Sequence, residues 1–330
     1  MLDTERGSNA STNEDRRLIE TLLSGALTEQ RRARRWGIFF KLMTLLWLFV
    51  MAGGLFTSSS RFSVPTLAGK GERYTALIDV DGVIAPGEQA SADNIASGLR
   101  EAFDDPNVKG IILRINSPGG SPVQAGCVYD EIRRLKADRR DLKVYAVVVD
   151  IGASGAYYIA SAADEIYADK ASLIGSIGAY VAGFGLDGVM KKLGVTRRFY
   201  KSGDFKGFSD PFQPEDPVVV EHIKSTVASI HQQFIDSVKR GRGDRLSDDP
   251  LLYSGLIWSG EQAKDLGLVD GLGSSGYVAR ELIGEERIVN FTPQLAPFER
   301  FARQLGVGAM RAMVNVLGLD GLGVRHAVSS

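Results

Sequence analysis

One stretch, Lys143 to Tyr180, narrows the possible folds more than any other: KVYAVVVDIGASGAYYIASAADEIYADKASLIGSIGAY. Its first part, Val144–Val149, is an unbroken valine-rich run, the pattern of a strand in a sheet interior. Gly152 and Gly155 then bracket Ala153 and Ser154, and the small residues after them, through Ala163, predict a tightly packed helix. A hydroxyl set where strand gives way to helix lies beside backbone N–H groups that no helical carbonyl can reach, at the positive end of the helix dipole. That setting suits a nucleophile that must make and then stabilise an oxyanion. Ser154 is the candidate.

The same alternation of signals runs from Tyr74 to about Gly284. Strands are predicted over Tyr74–Val80, Gly110–Ile115, Glu165–Ala168 and Val195–Tyr200. Helices are predicted over Ser91–Phe103 (Ser91 as cap), from Pro122 to about Lys136, and over Pro217–Lys239, Ser259–Leu266 and Ser274–Ile283. Repeated strand–helix units of this length imply an α/β fold with a mainly parallel sheet.

Ahead of this domain, Arg31, Arg32, Arg34 and Arg35 precede WGIFFKLMTLLWLFVMAGGLF, Trp36 to Phe56, in which only Lys41 is charged. About twenty apolar residues are enough to cross a bilayer as a helix. The arginines lie on the amino-terminal side, so the positive-inside rule keeps residues 1–35 in the cytoplasm and sends the rest across. A cleaved signal is disfavoured because the arginines start so far into the chain and no clear Ala-x-Ala site comes after the apolar run. The expected organisation is a mobile cytoplasmic tail (1–35), a transmembrane helix (36–56), a linker (57–72), the α/β domain (73–290) and an amphipathic carboxy-terminal segment (291–330).

Net charge of −1 and a hydrophobic share of 44% fit an ordinary globular protein and not a nucleic-acid binder. The single cysteine, Cys127, rules out an intrachain disulfide and is expected to be a small buried residue. No metal and no cofactor are expected.

A serine hydroxyl needs a base to take its proton. None of the three histidines (His222, His231, His326) sits among glycines or turn residues. Lysine can do the same work when its amine is uncharged. The best candidate is Lys206, in Lys201-Ser202-Gly203-Asp204-Phe205-Lys206-Gly207-Phe208, although a loop lysine is ordinarily solvated. Oxyanion donors are also required. The turn Ser117-Pro118-Gly119-Gly120 leaves a strand and enters a helix, which points to the N–H groups of Gly120 and Gly155. Ser176, in Gly175-Ser176-Ile177-Gly178, is a second hydroxyl able to hold the lysine amine in line. Ala153, Ala156, Gly178 and Ala179 suggest a pocket for small or apolar side chains.

Taken in order, INSPGGS (Ile115–Ser121), GASGAYYIASAADEIYA (Gly152–Ala168), LIGSIGAY (Leu173–Tyr180) and KSGDFKGFSDPF (Lys201–Phe212) closely resemble the bacterial signal peptide peptidases of the SppA type. These are membrane-anchored Ser-Lys proteases related in fold to the Clp protease and crotonase superfamily, built from repeated ββα units. The resemblance covers roughly Tyr74 to Gly284. It implies Ser154 as nucleophile, Lys206 as general base, Gly120 and Gly155 at the oxyanion hole, and Ser176 as the hydroxyl that orients the lysine. One departure is Gly155-Ala156 where many relatives have Gly-Gly, and alanine keeps the position small. The resemblance further implies a single-pass protein of the cytoplasmic membrane, its catalytic domain outside the cytoplasm, cutting cleaved signal peptides. Short members of the family form homo-oligomeric rings, some with sites shared between neighbours. Two other readings stay open on sequence: a Ser-His-acid esterase using Asp210 with His222 or His231, and a non-catalytic or acyl-CoA-binding crotonase-like scaffold.

Overall fold

The computed structural model describes residues 36–37, 39–47 and 72–293. The expected tail, the rest of the expected membrane span, the linker up to residue 71 and the carboxy-terminal segment from residue 294 lie outside the described residues. The chain divides into two compact units, residues 1–65 with 295–316 and residues 66–294 with 317–330. In the first, residues 39–47 are helical, and Phe39, Phe40, Leu45, Leu46 and Trp47 are all exposed. Among the described residues no helix is long and apolar enough to cross a membrane.

The second unit is a mixed α/β sheet domain. In chain order it comprises β1 (Tyr74–Asp81), α1 (Ala92–Asp104), β2 (Val108–Ser117), α2 (Pro122–Asp138), β3 (Val144–Ala153), α3 (Gly155–Ala160), β4 (Glu165–Ala168) and β5 (Leu173–Gly175). Then come α4 (Asp187–Lys192), α5 (Pro217–Arg242), β6 (Ile257–Ser259), α6 (Gly260–Asp265), β7 (Gly271–Leu272) and β8 (Ile288–Asn290). The main path through the sheet runs β6-β5-β3-β2-β1-β8, with β4 beside β3 and β7 beside β4. All pairings are parallel except β5 with β6.

Both faces of the sheet are covered, which is why the central strands read as unbroken apolar runs. On one face Ile78, Leu113, Ile115, Ala146 and Val148 pack with Leu99, Val128, Ile132 and Tyr157 of the helices. On the other, Leu77, Ile112, Tyr145 and Val147 lie under Val278 and Ala279 of a helical turn that widens into a π turn over Val278–Ile283.

The register of β3 decides where Ser154 sits. Ile115 faces Val148 and Ser117 faces Gly152, so β3 advances four residues while β2 advances two. The bulge leaves Val149 and Asp150 exposed in mid-strand. It also changes the strand's other partner, from β4 along Tyr145–Val148 to β5 along Ile151–Ala153. A bulge bends its strand and re-aims the residues beyond it.

Several expectations are corrected. Val195–Tyr200 is not a strand: it has no ladder partner among the described residues, and Tyr200 is 91% exposed. Cys127 is exposed, because Ala125, Val128, Tyr129 and Ile132 take the inner face of α2. Ser91 stands at the start of α1 but its side chain caps nothing, and the Ala92 N–H donates instead to Gln124 Oε1 at 2.8 Å.

The carboxy-terminal end of α5 is locked by charge. Arg242 is 2% exposed and makes a forked pair with Asp270, at 2.6 Å from Nη1 and 3.1 Å from Nη2, while also donating to the Gly267 carbonyl. Arg245 adds a third contact to Asp270 at 3.1 Å, and the Ile166 N–H donates to the same carboxylate at 2.7 Å. Burial pushes the Asp270 carboxyl up, but the bond and charge of Arg242, the Ile166 N–H and Arg245 together outweigh it and hold the group below the ordinary aspartate value. A carboxyl depressed in the folded state contributes stability above its unfolded value of 3.8 and loses it as pH falls through the folded value. Arg242→Met is expected to cost about 3–5 kcal/mol in urea unfolding at pH 7, because Asp270 stays buried with less compensation. Asp270→Asn is expected to flatten the acid limb of the stability curve; an unchanged limb would show that the pair carries no linkage.

Candidate active site

Ser154 sits between β3 and α3 with φ 53° and ψ −125°, a conformation that residues with a Cβ rarely adopt. Ser176, just past β5, has φ 51°. Among the described residues these are the two non-glycine positions with positive φ. They are joined through one hydrogen bond, from the Ser154 N–H to the Gly175 carbonyl at 2.8 Å. The Ser154 carbonyl accepts from the Tyr158 N–H at 3.0 Å, so the strained residue is tied on both sides.

The Ser154 hydroxyl is not spent on capping. Ser121, Ser259 and Ser274 each accept a hydrogen bond from the first turn of the helix they precede, whereas Ser154 makes no such bond. Ser154 is half-buried, and nothing in α3 claims its oxygen.

The glycine turn lies directly against it. A Cβ at Gly119, where φ is +101°, would stand 2.7 Å from Ser154 Cβ and 2.8 Å from both the Ala153 carbonyl oxygen and the Gly155 nitrogen. Gly120 is clamped to the chain after β1: the Ile84 N–H donates to the Gly119 carbonyl at 2.9 Å and the Ser121 N–H to the Ile84 carbonyl at 2.8 Å. A Cβ at Gly155 would come within 3.4 Å of the Gly120 nitrogen. Among the described residues neither the Gly120 nor the Gly155 N–H donates to another backbone group. Two neighbouring free donors beside an unspent hydroxyl can receive a developing oxyanion.

Ser176 is fixed from three directions. Its N–H donates to the Leu256 carbonyl at 2.7 Å, the indole of Trp258 lies against Gly175, and His231 Nε2 is 3.0 Å from the Ile177 carbonyl. A carbonyl oxygen only accepts, so His231 carries its proton on Nε2 there and cannot use that nitrogen as a base. His222, nearer the start of α5, is exposed. The histidine-based alternative finds no support in this geometry.

Lys206 is placed differently. It lies in a turn of the exposed segment between α4 and α5, with its N–H donating to the Gly203 carbonyl at 3.2 Å. Within the single chain no hydrogen bond joins its amine to Ser154 or Ser176. The structure thus brings together Ser154, Gly155, Gly119, Gly120 and Ser176, while Lys206 is exposed and makes no hydrogen bond to any of them. The suggested small-residue pocket also needs correction: Ala153 and Ala156 are core residues, and only Gly178 and Ala179 of that set are partly exposed. Leu256 and Trp258 were not legible as site residues, and His231 was legible only as a base in the esterase alternative, since each acts by contact across a long sequence gap.

Comparison with known proteins places these residues in context. A family model described as Peptidase family S49 matches residues 136–288, which takes in Ser154, Ser176 and Lys206 and begins after the glycine turn. A protein of Enterococcus faecium named "Putative signal peptide peptidase SppA" is 31% identical over 247 residues, covering 72% of this chain and 71% of that protein. "Protease 4" of Haemophilus influenzae is 34% identical over 228 residues, 65% of this chain and 35% of the relative. The Na(+)/H(+) antiporter NhaA of Brucella melitensis biotype 1 is 45% identical over 196 residues, 59% of this chain. The chain spans 26% of that protein's length, so its name says nothing of transport here.

Gly119→Ala tests the closeness of the turn to the serine. The added methyl meets backbone and Ser154 Cβ together, so labelling of Ser154 by a fluorophosphonate is expected to fall at least about a hundredfold, a loss of the order seen when an oxyanion site is disturbed. Labelling at the native rate would mean that Gly119 has room the geometry denies.

Proposed function

Because the chain belongs to the S49 peptidases of the signal peptide peptidase SppA type, we propose that it is a serine endopeptidase with a Ser154–Lys206 dyad, anchored in the cytoplasmic membrane and degrading cleaved signal peptides and other membrane-derived peptides. The observation that carries the reading is the meeting of the two positive-φ serines with the Gly119–Gly120 turn. Local strain of about 1–3 kcal/mol per residue persists only where its surroundings enforce it, and it gathers at working sites. The parallel sheet crossed by helices supports kinship with the Clp protease and crotonase folds.

The uncharged Lys206 amine takes the Ser154 proton as Oγ attacks the substrate carbonyl carbon. The oxyanion forms between the Gly120 and Gly155 N–H groups, and Ser176 holds the amine in line. Collapse breaks the C–N bond, and the lysine ammonium returns the proton to the departing amine. Water, deprotonated by the same lysine, then attacks the serine ester; the acyl C–Oγ bond breaks, the lysine ammonium returns its proton to Ser154 Oγ, and the acid leaves.

Lys206 has to reach Ser154 for this chemistry, and the surface around it supports a route. Tyr180 and Phe184 before α4, and Tyr200, Phe205 and Phe208 after it, are all exposed, Tyr180, Phe184 and Tyr200 by more than 80%. An apolar surface of this kind marks an interaction site. In the proposed ring a neighbouring copy covers it, and the lysine completes a site within the assembly. Burial against that neighbour favours the uncharged amine. The exposed apolar side chains of residues 39–47 support the anchor in the same way.

Ser154→Ala and Lys206→Ala are each expected to lower peptide hydrolysis by about a thousandfold or more, and His222→Ala to leave it unchanged. Full turnover in either of the first two variants would end the dyad assignment. The chain from Ser58 onward is expected to assemble without detergent. Tyr200→Glu combined with Phe208→Glu should give inactive monomers on size-exclusion chromatography, and an active monomer would overturn the shared assembly.

A further inference from the structure

The long helix α5 touches the site twice, and neither contact is part of the dyad chemistry. Near its middle, Phe234 stacks on Tyr158 with ring centroids 5.0 Å apart and planes 14° from parallel, and the Ser237 hydroxyl lies 2.9 Å from the Tyr158 hydroxyl. Tyr158 belongs to α3, the short helix that starts right after Ser154. One turn earlier, His231 reaches the Ile177 carbonyl at 3.0 Å. Residues 231 and 234 are neighbours on one helical face, so a single rigid element bears on both strained serines. The far end of α5 is held in turn by the buried Arg242–Asp270 pair.

We propose that His231 is a positioning residue: by donating from Nε2 to the Ile177 carbonyl, it fixes the peptide just beyond Ser176 and so aims the Ser176 hydroxyl at the incoming lysine amine. The proposal rests on the Ser154–Lys206 reading and extends it to a residue outside the dyad. Ser176 holds a backbone angle of φ 51°, which a side chain with a Cβ leaves readily if released. Its N–H is held by Leu256 on β6's side, and the opposing tie on its C-terminal side is His231. Beyond Ile177 the chain runs unpaired: among the described residues no backbone N–H from Gly178 to Gly185 donates to another backbone group. Ile177, with its side chain in the core and its carbonyl on the imidazole, is therefore the last fixed point before the exposed segment that carries Lys206. Without the imidazole, the peptide beyond Ser176 keeps the buried Ile177 side chain but loses the hydrogen bond that sets its orientation.

The ring is half-buried, and both the neutral Nε2–H form and the imidazolium donate from that nitrogen. A residue that places its donor where Nε2 stands can replace it. Glutamine does so through its amide nitrogen, whereas the shorter asparagine falls near Nδ1 and cannot reach Ile177.

The full chain in detergent is assayed with a fluorogenic peptide, comparing wild type, Ser154→Ala, His231→Ala, His231→Asn and His231→Gln for kcat, KM and thermal midpoint. His231→Ala and His231→Asn are expected to lower kcat about tenfold to a hundredfold, the scale of a small misplacement of a reacting group, with KM little changed. His231→Gln is expected to recover most of the kcat. If the alanine variant fails to fold, the Asn and Gln pair carries the comparison, since the two differ mainly in where the donor sits. Equal kcat in these two, or full kcat in His231→Ala, overturns the proposal while an active, Ser154-dependent wild type leaves the protease reading standing. A wild type no more active than Ser154→Ala overturns both.

Discussion

The hydrogen bond from the Ser154 N–H to the Gly175 carbonyl carries the β3–β5 ladder one step past the strand end, to the serine itself. Everything the site can do depends on that joint. It sets a strained serine at the end of β3 beside a strained serine just beyond β5, and the Gly119–Gly120 turn of β2 closes on the first of them. One such bond contributes only about 0.5–1.5 kcal/mol net, less than or comparable to the strain of a single positive-φ residue. The bond therefore directs the geometry but cannot maintain it alone. Packing behind the joint maintains it: Ala156, Tyr157, Ile159 and Ala160 of α3 are fully buried, and the Tyr157 hydroxyl donates to the Leu268 carbonyl at 2.8 Å. The bulge at Val149 and Asp150 supplies the change of partner that lets β3 meet β5 at all.

The seating of α5 divides the labour. Its carboxy-terminal half is fastened to the core by Phe234, Val238 and the charge cluster at Asp270, while its first half, Val219 apart, and the segment before it are mostly exposed. The rigid half bears on both serines. The exposed half leads back to Lys206 and its aromatic neighbours. The proposed nucleophile and oxyanion donors are thus held together within one chain, and the proposed base sits on a surface that exposes apolar side chains. On this reading, assembly and activation become one event, because burying the aromatic surface also supplies the environment in which an amine sheds its charge.

The valine run, the glycines around Ser154 and the alternation of strands and helices are local patterns, and local patterns are what a sequence expresses. They are enough to place β1 to β4, the main helices, Ser154 and the glycine turn. Short strands such as β5 and β7 are not legible: two or three residues carry no period, and their pairing depends on the bulge in β3. Val195–Tyr200 departs in the opposite sense, since it has strand-forming residues but no partner to pair with. Cys127 departs from expectation because composition favours burial, while helical phase turns that position outward.

By itself the sequence determined the chemistry available and its order along the chain: a serine at a strand–helix junction, glycines able to bring backbone N–H groups close, and a lysine on a distant loop. Only the tertiary structure decided which of these meet. Contacts such as His231 with Ile177, Leu256 with Ser176 and Trp258 with Gly175 span tens of residues, and they exist because separate strands and helices are stacked against one core. Side-chain identity is written residue by residue, whereas proximity is a property of the packed whole.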